Sequence, residues 1–315
     1  MADPRVLNMG QFTPTTHSTI CPALEASANR LSAPFAACII GASGVIGAGV
    51  ARAYARAGCT DLILAARDVE ALASVSSSIL SLSHTDSDPP PPPPPRIHLR
   101  HCDIADHDSV RALAEFAASK IVPHLDAVVL VSGISGPVQL RITDGSPADG
   151  EWARVFATNT LGTYHVAHYF VPLLLASPTK AFVVVGSLAA CITRGMIANT
   201  KYCVSKMAQA RIVECLAQQF SEEGLLALAV HPGAVESKNA LETAPKEFLQ
   251  YLTDDAELCG AFCVWVTRDP RRLNWLNGRL VSAKWDPDEL LAKKEDIIQG
   301  DLLKFEAKTT VDRET

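Results

Sequence analysis

Residues 35–58 constrain the fold of this chain more than any other stretch. Phe35-Ala36-Ala37-Cys38-Ile39-Ile40 is a short apolar run of buried-strand length. It leads directly into Gly41-Ala42-Ser43-Gly44-Val45-Ile46-Gly47-Ala48-Gly49. The alanine-rich run that follows, to Gly58, reads as a helix with Arg52 and Arg56 on its polar face. A strand, a glycine-rich turn and a helix in that order make a dinucleotide-binding opening. The turn is tight and its backbone must approach a pyrophosphate, which is why glycines are needed. The helix start then offers N–H groups and a positive dipole to the phosphates. Glycine is also a plain turn former, and it is the strand–turn–helix setting that favours the binding role. Gly41, Ser43, Gly44, Ile46 and Gly47 are the candidate contacts.

The rest of the chain repeats this alternation. Asp61 to Ala65 reads as a second strand ending in Ala66-Arg67-Asp68, and Val69 to Leu82 as a crossover helix. Ile97 to Cys102 is a third strand, followed by Asp103-Ile104, and Ala127 to Val131 a fourth, ending in Ser132-Gly133. Lys180 to Val185 is a fifth, leading into Gly186-Ser187, and Leu225 to Val230 a sixth, ending in His231-Pro232-Gly233. Strands alternating with helices predict an α/β, doubly wound parallel sheet of Rossmann-like type. Ligands of such sheets sit at the carboxyl ends of the strands. Gly41, Arg67, Asp103, Gly133, Ser187 and Gly233 each follow a predicted strand, which argues for one composite site.

We read a single domain over 34–288, preceded by an arm over 1–33 and followed by a tail over 289–315. A proline-rich insertion over 83–95 holds seven consecutive prolines, Pro89 to Pro95. They favour polyproline II and a semi-rigid surface segment. Hydrophobic residues make up 48% of the 315, enough for a sizeable core. The net charge of −6 argues against a nucleic-acid partner. The best apolar stretch, Val166 to Ala176, falls short of the ~18 residues of a membrane span. The first residues lack the apolar core of a signal peptide, so a cytoplasmic protein without a membrane partner is expected. The nine cysteines are odd in number and none are in Cys-x2-Cys spacing, so no metal is expected.

Tyr202 and Lys206 lie four residues apart, on one face of a predicted helix. A phenol with a pKa near ~10 is a poor acid-base at neutral pH. A nearby ammonium favours the phenolate and lowers that pKa. Tuned in this way, a tyrosine can give a proton to a carbonyl oxygen or take one from an alcohol. Asn159 falls on the otherwise apolar stripe of Trp152, Val155 and Phe156, where a polar amide needs a reason. Arg67 stands where the second strand meets the adenosine ribose. A guanidinium there suits a 2′-phosphate, so NADP(H) is expected rather than NAD. Asp103 could accept from the adenine amino group, or cap the helix that begins near Asp106.

This ordered set resembles the short-chain dehydrogenase/reductase family over about residues 35–285. Gly41-x2-Gly44-x2-Gly47 is similar to its glycine turn, with the middle glycine one place early. Asn159, Ser187, Tyr202 and Lys206 match its catalytic tetrad, Asp103 its adenine-side aspartate, and Pro232-Gly233 its Pro-Gly element. Val235 and Ser237 fall where the family contacts the nicotinamide carboxamide and phosphates. The family's Asn-Asn-Ala-Gly element reads Leu130-Val131-Ser132-Gly133, with only the glycine kept. Arm residues Phe12-Thr13, Thr16-His17 and Leu31-Ser32 are similar to a fungal subgroup found with natural-product pathways. So are tail residues Trp275 to Arg279, Trp285-Asp286 and Glu289 to Leu291.

The resemblance implies hydride transfer between NADPH and a carbonyl or alcohol, with a small-molecule substrate and a homo-oligomer. Tyr202 would be the acid or base, and Lys206 would tune it and hold the nicotinamide ribose. Ser187 would bind the substrate oxygen, its alternative role being a helix cap. Asn159 would hold a water linking Lys206 to solvent, its alternative role being a satisfied buried amide. The stretch from Glu236 to Tyr251, with Leu241, Pro245 and Phe248, is expected to form a partly apolar lid. Two other readings use the same fold: an NADP-binding sensor, or a scaffold for dehydration or cyclisation.

Overall fold

The computed structural model describes residues 10–82, 92–121 and 124–307. Its centre is an all-parallel sheet of β1 (Ala36–Ile40), β2 (Asp61–Ala66), β3 (Arg96–His101), β4 (Ala127–Leu130), β5 (Ala181–Val185), β6 (Leu226–His231) and β7 (Leu280–Ser282). The spatial order is β3-β2-β1-β4-β5-β6-β7. β1, β2, β4 and β5 are buried at every residue, because helices cover both faces. That is why they read as continuous apolar runs rather than alternating ones. The chain builds outward from β1 through β2 to β3, then returns to place β4 on the other side of β1. This reversal opens a crevice at the strands' carboxyl ends. Of the proline-rich insertion expected over 83–95, residues 83–91 lie outside the described residues.

The helices are α1 (Val45–Ala57), α2 (Val69–Ser81), α3 (His107–Lys120), α4 (Glu151–Phe156), α5 (Gly162–Leu175), α6 (Thr200–Gln219), α7 (Lys238–Thr243), α8 (Ala256–Thr267), α9 (Pro287–Ala292) and α10 (Lys294–Gln299). Apolar side chains of α1, α2 and α8 form the core on one face of the sheet, and those of α3, α5 and α6 the core on the other. α1 and α8 meet backbone to backbone. A Cβ at Gly49 would lie 2.5 Å from the Ala256 carbonyl oxygen, and one at Gly260 would lie 2.7 Å from that of Gly49. This contact seats α1, whose first turn opens onto the crevice.

β7 adds a seventh strand to the six expected from the sequence. β7 is three residues long, too short to stand out by periodicity, and its place is set by side chains before it. Asn277 Oδ1 accepts from Ala227 N at 2.8 Å, and its Nδ2 donates to Leu225 O at 2.9 Å, fixing the register beside β6.

The arm and tail motifs, almost the whole chain apart in sequence, meet in space. Thr16 pairs with Trp285 in an antiparallel bridge, and the Phe12 and Trp285 rings pack at a tilt of 37° with centroids 4.9 Å apart. Glu289 takes both the backbone N–H and the hydroxyl of Thr15, at 2.8 and 2.7 Å. His17 Nε2 lies 2.9 Å from Asp286 Oδ2. Together with Cys21, this pair brings ligand-type atoms within 4.8 Å of one another, although Asp286 already caps α9. Trp265 and Trp285 are buried in the same core, and Trp275 packs against it.

Candidate active site

The glycine turn closes on itself. Gly44 N donates to Gly41 O at 3.2 Å, and Gly41 has a φ of +96°, a conformation that favours glycine. A Cβ at Gly47 would sit 2.1 Å from the Gly41 carbonyl oxygen, so no side chain fits there. One at Gly41 would lie 2.6 Å from Ser132 N and 2.7 Å from Ser132 Oγ. The turn is thus wedged against the loop after β4. Gly44 caps α1 without a side-chain hydrogen bond, which leaves the first N–H groups of a thirteen-residue helix for an anion. Gly44 is exposed and Ser43 and Ile46 are half-buried along this edge. These features fit a dinucleotide pyrophosphate.

Arg67 follows β2 directly and is exposed. The neighbouring Asp68 is turned to its own helix, where its carboxylate accepts from Ala71 N at 3.0 Å as the cap of α2. Asp103 is half-buried after β3 and accepts from Ala105 N at 3.0 Å. Capping of α3 falls to Asp106 instead, so the alternative role weighed for Asp103 belongs to its neighbour. Ile104 is buried against Gly162, and its carbonyl pairs with His165 Nδ1 at 2.9 Å. On the far side of the crevice Pro232 and Gly233 are buried, and Gly233 has a φ of +95°. Asp254 holds this loop by accepting from Ala234 N at 2.6 Å, and is itself paired with Lys284. Val235 is buried, and Ser237 Oγ caps α7 by accepting from Ala240 N at 3.2 Å.

The four residues matched to the tetrad converge between β4, β5 and α6. Ser187 follows β5 and accepts from Ala189 N at 3.1 Å, capping a short 3-10 turn over Leu188–Cys191. Its oxygen accepts from the backbone, and its hydroxyl works to lower the pKa of the neighbouring Tyr202 phenol. His231 Nδ1 accepts from Leu188 N at 3.5 Å and supports the same turn. Burial pushes the His231 pKa down to about 4, so the ring stays a neutral acceptor.

The expected tuning of Tyr202 by Lys206 is not what the structure holds. Burial pushes the phenol above its ordinary pKa, and the Ser187 hydroxyl offsets only part of that. The Lys206 ammonium stands 6.0 Å from the ring centroid and is engaged elsewhere. It donates to Val185 O at 3.0 Å and to Gln209 Oε1 at 2.8 Å. Burial alone brings its own pKa down to about 7. A Cβ at Gly133 would lie 3.2 Å from this ammonium, so the glycine retained after β4 makes room for it.

Asn159 is fully buried in a π-type turn, Ala157–Leu161, that interrupts the helix between α4 and α5. Its Oδ1 accepts from Ile134 N at 2.9 Å, and its Nδ2 donates to Ile134 O at 2.8 Å and Ser205 Oγ at 2.9 Å. The amide therefore pins the loop after β4. The backbone carbonyl of Asn159 accepts from Thr163 Oγ1 at 2.8 Å and Gln209 Nε2 at 3.1 Å.

Sequence reasoning missed Gln209, Thr163 and Ser205. Gln209 continues the face of Tyr202 and Lys206 at i+7, a polar residue on the inward side of a helix, and that signal was legible. Asn199 was missed too: its Nδ2 donates to Ser135 O at 2.9 Å, bracing the same loop. The lid segment is tied to this loop, since Thr243 Oγ1 lies 2.8 Å from Ser135 Oγ. Among the described residues no helix is long and apolar enough to cross a membrane.

Residues 36–247 match the family model described as short chain dehydrogenase. The short chain dehydrogenase pgmD of Aspergillus terreus is 32% identical over 299 residues, covering 93% of this chain and 93% of that protein. The short chain dehydrogenase citE of Monascus ruber is 33% identical over 290 residues, covering 92% and 94%. A solved 7 alpha-hydroxysteroid dehydrogenase, complexed with NADH and 7-oxo glycochenodeoxycholic acid, matches with a TM-score of 0.68 at 21% identity, covering 84% of this chain and 96% of that one. A short chain dehydrogenase from Escherichia coli CFT073, complexed with NADPH, matches with a TM-score of 0.67 at 25% identity, covering 81% and 98%. The two solved proteins hold different nicotinamide cofactors, so likeness of fold does not choose between them.

Proposed function

The chain belongs to the short-chain dehydrogenase family, and from that premise we propose that it is an NADP-dependent oxidoreductase interconverting a carbonyl and an alcohol in fungal secondary-metabolite biosynthesis. The observation that carries this reading is the uncapped, glycine-opened start of α1 at the carboxyl end of the sheet, with Ser187 just after β5 and Lys206 donating to Val185 O at the end of that same strand. Bound with its pyrophosphate at the start of α1, the nicotinamide cofactor supplies or accepts the hydride.

The chain's own residues do the rest. The Tyr202 hydroxyl gives its proton to the carbonyl oxygen in reduction, or takes one from the alcohol in oxidation. The Ser187 hydroxyl stabilises charge developing on that oxygen. Lys206 holds the nicotinamide ribose with the N–H that faces the cleft. Asn159, through its bonds to Ile134, fixes the loop that carries Gly133. Pro232, Gly233, Val235 and Ser237 line the opposite wall, where the Asp254 carboxylate sets the loop's shape. Leu241 and Tyr251 are exposed apolar side chains of the lid segment, and Leu140, Ile142 and Met196 are exposed in neighbouring loops. They favour a medium-sized apolar substrate.

The test begins with metabolite profiling of a strain lacking the gene. The accumulated compound is then given to pure protein with NADPH. Consumption of one equivalent of NADPH per product supports the reading. Conversion without net consumption points to dehydration or cyclisation, and tight NADPH binding without turnover to a sensor.

Arg67 supports NADP over NAD through its place after β2. Fluorescence titration is expected to give at least about tenfold tighter binding of NADPH than NADH, the scale of a charge-assisted contact to phosphate. Arg67→Ala should lose that preference and leave NADH binding unchanged. Equal affinities in the unaltered protein would refute the assignment.

A further inference from the structure

Gln209 is fully buried, and each end of its side-chain amide has a partner that admits only one orientation. Oε1 faces the Lys206 ammonium at 2.8 Å, a group that can only donate. Nε2 faces the Asn159 carbonyl at 3.1 Å, which can only accept, and Thr163 Oγ1 at 2.7 Å. Thr163 spends its own hydrogen on the same Asn159 carbonyl, at 2.8 Å, so its oxygen is free to accept from Gln209. Both amide hydrogens of Gln209 and the hydroxyl hydrogen of Thr163 are used. Two of the three ammonium hydrogens go to Val185 O and Gln209, and one remains for the cleft.

We propose that Gln209 is a positioning residue that clamps the Lys206 ammonium from the protein interior and fills the space through which solvent would otherwise reach it. The proposal rests on the reading of Lys206 as part of the proton-transfer site. Its mechanistic content follows from amide chemistry. An amide accepts at oxygen and donates at nitrogen, but it passes no proton from one to the other without becoming an imidic acid. Hydrogen bonds run in one direction, from Lys206 to Gln209 and on to Asn159 and Thr163, and end there. A proton given up by Tyr202 to a substrate oxygen is therefore replaced from the cleft, not through the interior side of Lys206.

The clamp is also electrically neutral. The groups around Lys206 are the Val185 carbonyl from β5, Gly133 from the loop after β4, and Tyr202 and Gln209 from its own helix, with Asn159 and Thr163 bonded to Gln209 behind them. None is a carboxylate, and burial is the one influence that moves the lysine from its ordinary value.

Two substitutions separate clamping from packing. Gln209→Met keeps the bulk but offers the ammonium no good acceptor. Gln209→Ala removes more bulk and leaves room for a water, which takes about 30 Å³ and would find Lys206, Asn159 and Thr163 as partners. Clamping predicts that Met is the more damaging change for catalysis. Gln209→Met should lower kcat at least tenfold with little change in KM. The pH midpoint of NADPH affinity, set by Lys206, should also move down by about one unit, the worth of a hydrogen bond to a charged group. Gln209→Ala should regain most of kcat at a lower Tm, and Gln209→Ser provides the same comparison if the alanine variant does not fold.

Packing predicts the reverse order, with Ala worse than Met. That order, or a folded Gln209→Met enzyme with normal kcat and an unmoved midpoint, would overturn the proposal. A parallel Tyr202→Phe enzyme keeps the two ideas apart. If it is inactive while the Gln209 variants behave normally, only the clamp fails. If it too remains active, the proton-transfer reading itself fails.

Discussion

Tyr202→Phe is expected to lower kcat by about 10²–10⁴, the contribution of a positioned general acid or base, while NADPH affinity and Tm stay near their original values. The substitution removes one oxygen and keeps the ring. The neighbouring Ser187 is still held by Ala189 N, so no capping is lost. NADPH titration by fluorescence, thermal melts and single-turnover rates check the three parts of the expectation together. A variant that turns over at the normal rate would remove Tyr202 from the chemistry.

The same residue carries a pH dependence. Its pKa is raised above 10, first by burial and then by Cys203, against the lowering effect of Ser187. The phenol is therefore protonated at neutral pH, ready to donate to a carbonyl oxygen. In the opposite direction it must first lose that proton. The reductive rate is expected to be flat through neutral pH and the oxidative rate to climb with pH, in pre-steady-state measurements with each substrate pair.

What was legible in the sequence was the part written in local pattern. Five of the six strands stood out as apolar runs closed by glycine or a polar residue, the third as alternating apolar and polar residues, and the glycine turn because a strand and a helix flank it. Asn159 was flagged as a polar residue on an apolar stripe, and the π turn that contains it explains how the stripe accommodates an amide. Three things were not legible, each for a physical reason. β7 is held by Asn277 and by the neighbouring strand rather than by its own composition. The electrostatics of Tyr202 and Lys206 depend on burial, and helical spacing alone says nothing of desolvation. The joining of arm to tail needs the pairing of Thr16 with Trp285 and of Thr15 with Glu289, contacts that no local window contains.

Lys206→Met should have two opposite effects. Turnover is expected to fall by about 10² or more, the scale of removing a preorganised charged donor from a reacting site, and NADPH affinity should weaken with it. Stability should respond in a pH-dependent way. The lysine is 4% exposed, and its pKa falls from 10.5 to about 7 on folding. A cation with a depressed folded pKa binds fewer protons in the folded state than in the unfolded state across that window. Its cost is therefore fully present below about pH 7 and disappears as pH rises toward 10.5. The size of that cost is on the order of 5 kcal/mol at most. Methionine carries no charge and is free of it at every pH. It also leaves Val185 O and Gln209 Oε1 without their donor, a loss of about 1–3 kcal/mol each that does not depend on pH. The neutral lysine amine, by contrast, keeps donating to both at high pH. The stability of Lys206→Met relative to the original protein should therefore drop by several kcal/mol between about pH 6 and pH 10, measured by urea unfolding of the cofactor-free forms. A difference that stays constant across this range would mean that the ammonium is not held at the expense of stability. A drop coupled to lost turnover would identify Lys206 as a charge kept in the interior for function.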